Sequence, residues 1–187
     1  MRKLVLIVSL LLAGCVAPSK VEKSMIYEGD AKAVEKMLAH GTGVVYLGFE
    51  ECPWCVQYRP LLEEMAMKSD IEVMHYDVHA DKKDDRDQYD RIASRLNEMD
   101  DSILRYDNDG NAVIYMPLTV FVKEGKLLGY ENETCDLSSK EQDPKTYWTV
   151  EKKQSLEGRI LPLMDDVKAA RDEKNTQGCA IKEDSGC

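Results

Sequence analysis

Four residues, Cys52-Pro53-Trp54-Cys55, constrain the fold of this chain more than any other feature of its sequence. They follow a short continuous apolar run, Val44 to Leu47, that is typical of a strand buried on both faces. From Pro53 to about Lys68 the sequence predicts a helix, since proline is well tolerated at the first helical position. The cysteines therefore stand at a strand-to-helix junction, where unpaired N–H groups and the positive end of the helix dipole stabilise a thiolate.

The spacing of the two cysteines predicts a different role for each. Two intervening residues place Cys55 one turn further into the helix, within bonding reach of Cys52 and less exposed. We predict that Cys52 attacks a disulfide or is attacked, and that Cys55 resolves the mixed disulfide. A structural disulfide and half of a zinc site are the alternatives, although the sequence lacks a second Cys-x-x-Cys or a nearby Cys/His pair. The pattern favours redox chemistry with no metal and no cofactor.

The start of the chain predicts export. The positively charged residues Arg2 and Lys3 and the apolar run from Leu4 to Leu12 are typical of a secretory signal. This run is shorter than the roughly 20 residues of a membrane-spanning helix. The sequence Leu12-Ala13-Gly14-Cys15 resembles the bacterial lipobox. That resemblance implies that residues 1–14 are removed and that Cys15 carries a lipid in an extracytoplasmic membrane. Residues 15–24 would be a tether, and a soluble secreted protein is the alternative.

Length and charge narrow the domain organisation of the chain and the kinds of partner it can bind. A chain of 187 residues suits one compact domain with extensions, and we place that domain at residues 25–170, followed by a polar tail at 171–187. The 25 basic residues are outnumbered by 35 acidic ones, and the net charge is −10. Phosphate would be repelled from most faces of such a protein, so a nucleic-acid partner is not expected.

Periodicity and turn residues predict the order helix, strand, helix, strand, helix, strand, strand, helix. This order indicates an α/β fold with a mixed sheet, helices on both faces and a helical insertion. The first helix is capped by Asp30 and stopped by Gly41. The second helix offers the core Val56, Leu61, Leu62, Met65 and Ala66. The remaining predicted elements are strands at Ile71–Val78, Leu118–Val122 and Lys126–Tyr130, a turn at Asn108–Asn111, and helices at Tyr89–Met99 and around Leu156–Val167.

Taken together, the motifs resemble the thioredoxin superfamily. Pro60 stands where that family has the kinking proline of its active-site helix, and Tyr115–Lys126 resembles its second signature. The resemblance implies that Pro117 is cis and packs against the two cysteines, and that the Met116 backbone pairs with an extended substrate. From the residues alone, a trans proline at a strand entrance is the alternative.

The chain departs from the thioredoxin pattern beside the cysteines. Tyr46 occupies the position of a buried aspartate that serves as proton acceptor, so the usual proton relay is missing. Glu51 and Val56 stand where thioredoxins have a tryptophan and a basic residue. The run Tyr46–Pro53 also resembles bacteriocin transport accessory proteins, which are thioredoxin-like chains found beside peptide exporters.

These features predict a membrane-anchored, extracytoplasmic thiol-disulfide oxidoreductase. Its expected partners are client protein or peptide thiols and disulfides, an extracytoplasmic or membrane redox partner, and the lipid membrane. The direction of electron flow stays open. The alternative is an accessory binding module that holds an exported peptide with little redox turnover.

Two further groups of residues are candidates for bonds or ligands. Cys179 and Cys187 enclose a short polar loop and could form a structural disulfide, which would leave Cys135 unpaired. Cys135 could instead pair with either of them or act as an extra redox thiol. His75, Asp77 and His79 alternate along a predicted strand and so share a face that could bind a metal, although a solvated strand end is the favoured interpretation.

Overall fold

A computed structural model describes residues 23–136 and 142–183 of the chain. In chain order its elements are β1 (Ile26–Glu28), α1 (Ala31–His40), β2 (Gly43–Leu47), α2 (Pro53–Ser69), β3 (Val73–Tyr76), α3 (Val78–Asp84), α4 (Arg86–Met99), β4 (Arg105–Tyr106), β5 (Ala112–Val113), β6 (Leu118–Lys123), β7 (Lys126–Glu131), α5 (Pro144–Tyr147) and α6 (Val150–Glu183). Short 3₁₀ turns lie at Asp101–Ile103 and Glu133–Asp136.

The centre of the fold is a mixed five-stranded sheet with the order β1-β3-β2-β6-β7. Strands β1, β3 and β2 are parallel, whereas β6 pairs antiparallel with both β2 and β7. The mixed sheet and its helices confirm the predicted fold class and are consistent with a thioredoxin-like α/β fold. The predicted hairpin between β6 and β7 is also confirmed, with Gly125 at φ +73° in its turn.

Successive residues of the central strand β2 point to opposite faces of the sheet, and both faces are covered. Val44 and Tyr46 belong to the apolar cluster formed with α2 and α6. Val45 and Leu47 belong to the cluster formed with α1 and α4. All five residues of β2 are buried, which confirms the prediction of a strand covered on both sides.

Helix α1 begins and ends at the capping residues that the sequence predicted. The Asp30 carboxylate accepts a hydrogen bond from the Ala33 N–H at 2.7 Å, so α1 begins where the sequence indicated. It ends at His40, and the N–H of Gly41 donates to the Met37 carbonyl at 2.9 Å. Pro60 lies inside α2, as the resemblance implied.

The third strand is shorter than the sequence predicted. The strand β3 ends at Tyr76, and the Asp77 carboxylate accepts hydrogen bonds from the N–H groups of His79 and Ala80 at 2.9 and 3.2 Å. This cap starts α3 at Val78, so the prediction of a strand through Val78 was wrong. The capping strength of an aspartate outweighs the apolar character of the valine that follows it.

The last helix extends further than its apolar stripe. Four of the five predicted core positions are buried, and the fifth, Leu163, is partly buried. The helix continues through Glu183, into the segment for which the sequence indicated a tail. Buried Ala170 and a hydrogen bond from Arg171 Nε to the Thr42 carbonyl at 3.3 Å hold this continuation against the domain.

The turn at Asn108–Asn111 is confirmed, and it joins a small ribbon of β4 and β5 that the sequence did not reveal. The Asp107 carboxylate accepts from the N–H groups of Asp109 and Asn111 at 3.0 and 2.8 Å. Within residues 23–136 and 142–183, no helix combines the length and apolarity that crossing a bilayer demands.

Candidate active site

The first cysteine of the Cys-Pro-Trp-Cys sequence caps the helix that it precedes. Cys52 is the N-cap of α2, and its Sγ accepts a hydrogen bond from the Cys55 N–H at 3.1 Å. Pro53 occupies the first helical position. The N–H that proline lacks would have no partner within the helix at this position, so no helical hydrogen bond is lost. The unpaired N–H groups and the positive end of the helix dipole therefore face the Cys52 sulfur, and both favour negative charge there.

Cys52 and Cys55 form a disulfide, with their Cα atoms 5.2 Å apart. This separation lies inside the range of roughly 4.4–6.8 Å that a disulfide allows. Cys52 is 5% exposed and Cys55 is 3% exposed, so both sulfurs are nearly covered and the predicted difference in exposure is small.

The second signature segment lies against the first cysteine. The Met116–Pro117 peptide bond is cis, as the resemblance implied, and Pro117 is buried. The Met116 carbonyl oxygen lies 3.8 Å from Cys52 Sγ. The fold thus brings together the four residues that the sequence singled out for reaction and substrate binding, Cys52, Cys55, Met116 and Pro117.

Asn132 supports this segment, a role that sequence reasoning missed. Its Nδ2 donates a hydrogen bond to the Tyr115 carbonyl at 3.3 Å, next to the cis bond. Asn132 itself is 8% exposed. In the sequence it stands out only as part of an Asn-Glu-Thr triplet after a predicted strand, and the pairing with Tyr115 spans the β6–β7 hairpin.

Aromatic side chains pack against Trp54, the second residue between the two cysteines. Trp54 is half-buried and packs edge-on against Tyr147, with ring centroids 5.2 Å apart. Tyr147 packs in turn against Trp148 at 5.0 Å, and its hydroxyl donates to a Glu133 carboxylate oxygen at 2.5 Å. Tyr147 and Trp148 therefore belong to the packing around the site.

An open cavity of about 400 Å³ lies beside Cys55, and one of its walls is formed by Val56, which is 53% exposed. Cys55 lines this cavity, together with residues of β2, β3, α2 and the loop before α2. Its other lining residues are Tyr46, Phe49, Glu50, Val56, Arg59, Pro60, Glu63 and His75. The second cysteine therefore borders this open cavity, while the first lies against the cis-proline segment.

Inside this cavity, His75 bridges two strands and a loop. The ring is 5% exposed, and its Nδ1 lies 2.7 and 2.8 Å from the two carboxylate oxygens of Glu28. Its Nε2 lies 3.1 Å from the Gly48 carbonyl oxygen. The Tyr46 ring packs beside it, with centroids 5.1 Å apart. Burial raises the pKa of Tyr46, so its phenol stays protonated well above neutral pH.

Two sequence predictions near the site were wrong. His75, Asp77 and His79 do not alternate along one strand, because Asp77 caps α3 and His79 lies within that helix, stacked on Phe49 at 4.2 Å. Val56 is not a core residue of α2, since it is 53% exposed. Within the part of the chain that the structure describes, no group of three or more His, Cys, Asp or Glu could hold a metal ion.

Several predicted residues lie outside what the structure describes. These are the lipidation site Cys15, the signal segment 1–14, most of the tether 15–24, and Cys187. The backbone is described at Cys135 and Cys179, but their side chains are not. The proposed pairing of Cys179 with Cys187 and the state of Cys135 stay predictions.

Comparisons with protein-family models, with curated proteins and with solved structures find no match for this chain. The functional interpretation therefore depends on the geometry of the cysteine pair, the cis proline and the cavity.

Proposed function

We propose that this protein is a thiol-disulfide oxidoreductase that acts on protein or peptide thiols and disulfides. One observation carries the proposal: the Cys52–Cys55 disulfide caps helix α2 with Cys52 Sγ 3.8 Å from the Met116 carbonyl beside a cis proline. An extended client laid along Met116 would present its sulfur to Cys52. Cys52 would form the mixed disulfide, and Cys55 would resolve it.

The test is to trap the mixed disulfide with the full chain. Without Cys55 the intermediate cannot be resolved, so Cys55→Ala is expected to accumulate a client bound through Cys52. The matched control is the double variant Cys52→Ala/Cys55→Ala, which retains every other cysteine. Non-reducing gels followed by reduction and mass spectrometry identify the captured chains. Equal capture by the double variant would contradict the proposal.

The direction of electron transfer follows from the reduction potential of the pair. We propose to equilibrate the protein with glutathione and to measure the fraction oxidised. A potential near about −270 mV indicates a reductase, and one near about −120 mV indicates an oxidant.

A binding module with little redox turnover is the second candidate. The observation that favours it is the low exposure of both sulfurs, 5% and 3%. A module would retain noncovalent binding of its peptide when both cysteines are alanine, whereas an oxidoreductase would lose its effect on the client. The double variant described above distinguishes the two candidates.

We also propose that the protein is an extracytoplasmic lipoprotein anchored through Cys15. The support is the Leu12-Ala13-Gly14-Cys15 sequence after a short apolar run. Incorporation of labelled fatty acid should be lost in Cys15→Ser and retained in Cys135→Ser. Retention of the label in Cys15→Ser would contradict the anchor.

A further inference from the structure

The open cavity beside Cys55 has the character of a binding site, and the exchange between the two cysteines does not itself require it. Its volume of about 400 Å³ lies within the range of about 300–1,000 Å³ that is typical of ligand pockets. Apolar and aromatic side chains form much of its wall: Tyr46, Phe49, Val56 and Pro60. An apolar wall that is open to water is stabilised when another apolar group covers it.

The aromatic walls of the cavity are held in place by their neighbours. The Phe49 ring stacks on His79 of α3, with centroids 4.2 Å apart and an interplanar angle of 15°. The Tyr46 ring packs against Tyr58 at 5.8 Å and against His75 at 5.1 Å. Because these rings are already fixed, a ligand that enters the cavity loses little free energy in ordering it.

Carboxylates dominate the charge at the edge of the cavity. Glu50 lines the cavity and Glu51 follows it; both are exposed, and neither forms an ion pair with another residue that the structure describes. Glu63 adds a third carboxylate to the wall. The cation of the wall, Arg59, lies 3.5 Å from a Glu28 carboxylate oxygen. The edge therefore carries net negative charge and attracts a basic residue rather than an acidic one.

A client that is bonded to Cys52 brings its neighbouring residues within reach of the cavity. The Cα atoms of Cys52 and Cys55 are 5.2 Å apart, and Cys55 lines the cavity. An extended chain spans about 3.3–3.6 Å per residue, so residues one to three positions from the client's cysteine cover this distance. Met116 and Pro117 do not line the cavity, so it offers the client a second contact separate from theirs.

We propose that the cavity beside Cys55 binds an apolar side chain of the client, one to three residues from the client's reactive cysteine, in a segment that also carries a basic residue. The inference rests on the proposed function and names the class of client. The aliphatic or aromatic side chain covers Phe49 and Val56, and the cation of a lysine or arginine lies near Glu50 and Glu51.

The test measures how fast peptides with a single cysteine reduce the oxidised protein. The peptide thiolate bonds to Cys52 Sγ, and Cys55 leaves with the electron pair and takes a proton from water. A second peptide thiolate then attacks the peptide sulfur of the mixed disulfide, and Cys52 leaves as a thiolate. Two peptide thiols are oxidised to one peptide disulfide as the protein disulfide is reduced to two thiols. All proteins compared carry serine at the other four cysteines: Cys15, Cys135, Cys179 and Cys187.

The peptide series places leucine at each of the three positions on either side of the cysteine, in a background of serine and glycine. Acid quenching and reversed-phase chromatography give the rate as a function of peptide concentration. At one or more positions leucine should lower KM by about tenfold relative to serine, because a pocket that covers an apolar group discriminates by about this factor or more.

A second comparison tests the charge at the edge of the cavity. The best leucine peptide is made with lysine or with glutamate two residues beyond the leucine. Lysine should lower KM by about threefold relative to glutamate at low salt, which is the scale of an exposed ion pair. The difference should vanish near about 1 M salt, because salt screens exposed charges.

Four protein variants assign these preferences to the cavity. Val56→Ser removes an exposed part of the apolar wall, and the preference for leucine over serine should fall by about threefold or more. Met67→Ser is the matched control: Met67 is a 44% exposed apolar residue of the same helix that does not line the cavity, so the preference should stay. Glu50→Gln/Glu51→Gln should abolish the preference for lysine, and Asp166→Asn, which alters an exposed carboxylate on α6, should retain it.

The outcomes distinguish this inference from the proposed function. Equal KM values for leucine and serine peptides within about twofold at every position would overturn the inference, as would the same preference in Val56→Ser and Met67→Ser. Equal KM values for lysine and glutamate peptides at low salt would overturn its basic residue. A dimer in sedimentation that Val56→Ser dissociates would assign the cavity to a second copy of the chain instead. If the oxidised parent reacts with no peptide, the proposed function fails, and the inference fails with it.

Discussion

The hydroxyl of Tyr58 lies 2.8 Å from the Thr119 hydroxyl, and both residues are buried. Tyr58 follows Cys55 by one helical turn, and Thr119 follows Pro117 in β6. This side-chain hydrogen bond therefore joins helix α2, which contains Cys55, to the strand that directly follows the cis proline. It helps to fix the distance between Cys52 and Met116 on which the proposed chemistry depends.

Removal of this bond should lower stability. In Tyr58→Phe the Thr119 hydroxyl is left buried without its partner, so we expect the free energy of unfolding to fall by about 1–2 kcal/mol. Urea denaturation measures the change. Tyr106→Phe is the control: its hydroxyl bonds Asn97 at 2.9 Å but the residue is 57% exposed, so its effect should stay within about 0.5 kcal/mol. Equal effects of the two variants would contradict the assignment.

The same tyrosine should make the fold sensitive to alkali. Burial raises the pKa of Tyr58 well above its ordinary value. The unfolded state loses its proton near about pH 10 whereas the folded state retains it, so the contribution to stability is complete below that pH and is lost as pH rises toward the folded pKa. Urea denaturation from about pH 8 to about pH 11 should show a decline that is shallower in Tyr58→Phe. An identical decline in both proteins would refute this role.

Local sequence patterns predicted the parts of the fold that depend on neighbouring residues. The buried strand β2, the cap at Asp30 and the hairpin of β6 and β7 were all correct, because each depends on residues close together in the chain. The placement of Cys52 at a helix N-terminus was correct for the same reason. The cis state of Pro117 came from resemblance, since periodicity does not distinguish the isomers.

The cavity could not be predicted from local patterns. Strand β1 has three residues, of which only Ile26 is buried, and so it carries no periodic signal. Its pairing with β3 brings Glu28 opposite His75 across a long sequence separation. The misassignment of Val56 has a related cause. Helical spacing places Val56 on the same face of α2 as core residues, but in the first turn this face borders the cavity and stays exposed to solvent.

The exposure of Val56 predicts that alanine substitutions at two positions of helix α2 differ in their effect on stability. Val56 is 53% exposed and Leu62 is fully buried in the cluster between α2 and α6. Val56→Ala should change the free energy of unfolding by about 0.5 kcal/mol or less. Leu62→Ala should cost about 2–5 kcal/mol because it leaves a cavity in the core. Urea denaturation of the two variants side by side provides the test, and a large loss in Val56→Ala would restore the core assignment.

A buried carboxylate at the end of β7 should depend on one arginine. Glu131 is 6% exposed, and its oxygens accept hydrogen bonds from Arg159 Nε at 2.8 Å and from the Glu133 N–H at 2.9 Å. In Arg159→Gln the charge of Glu131 stays in place without its cation, so we expect a loss of about 1–3 kcal/mol in the free energy of unfolding. The partial exposure of Arg159 keeps this below the cost of breaking a fully buried pair.

Two comparisons separate the loss of this pair from a general effect of charge. The double variant Glu131→Gln/Arg159→Gln should recover part of the loss, because the uncompensated charge is then gone. Lys123→Gln breaks an exposed pair with Glu173 and should change stability by about 0.5 kcal/mol or less. Because Glu131 pairs with Thr119 in the sheet, the loss in Arg159→Gln should extend to β6, the strand that directly follows the cis proline. Faster amide exchange in β6 of Arg159→Gln than of Lys123→Gln would establish that link, and equal exchange would refute it.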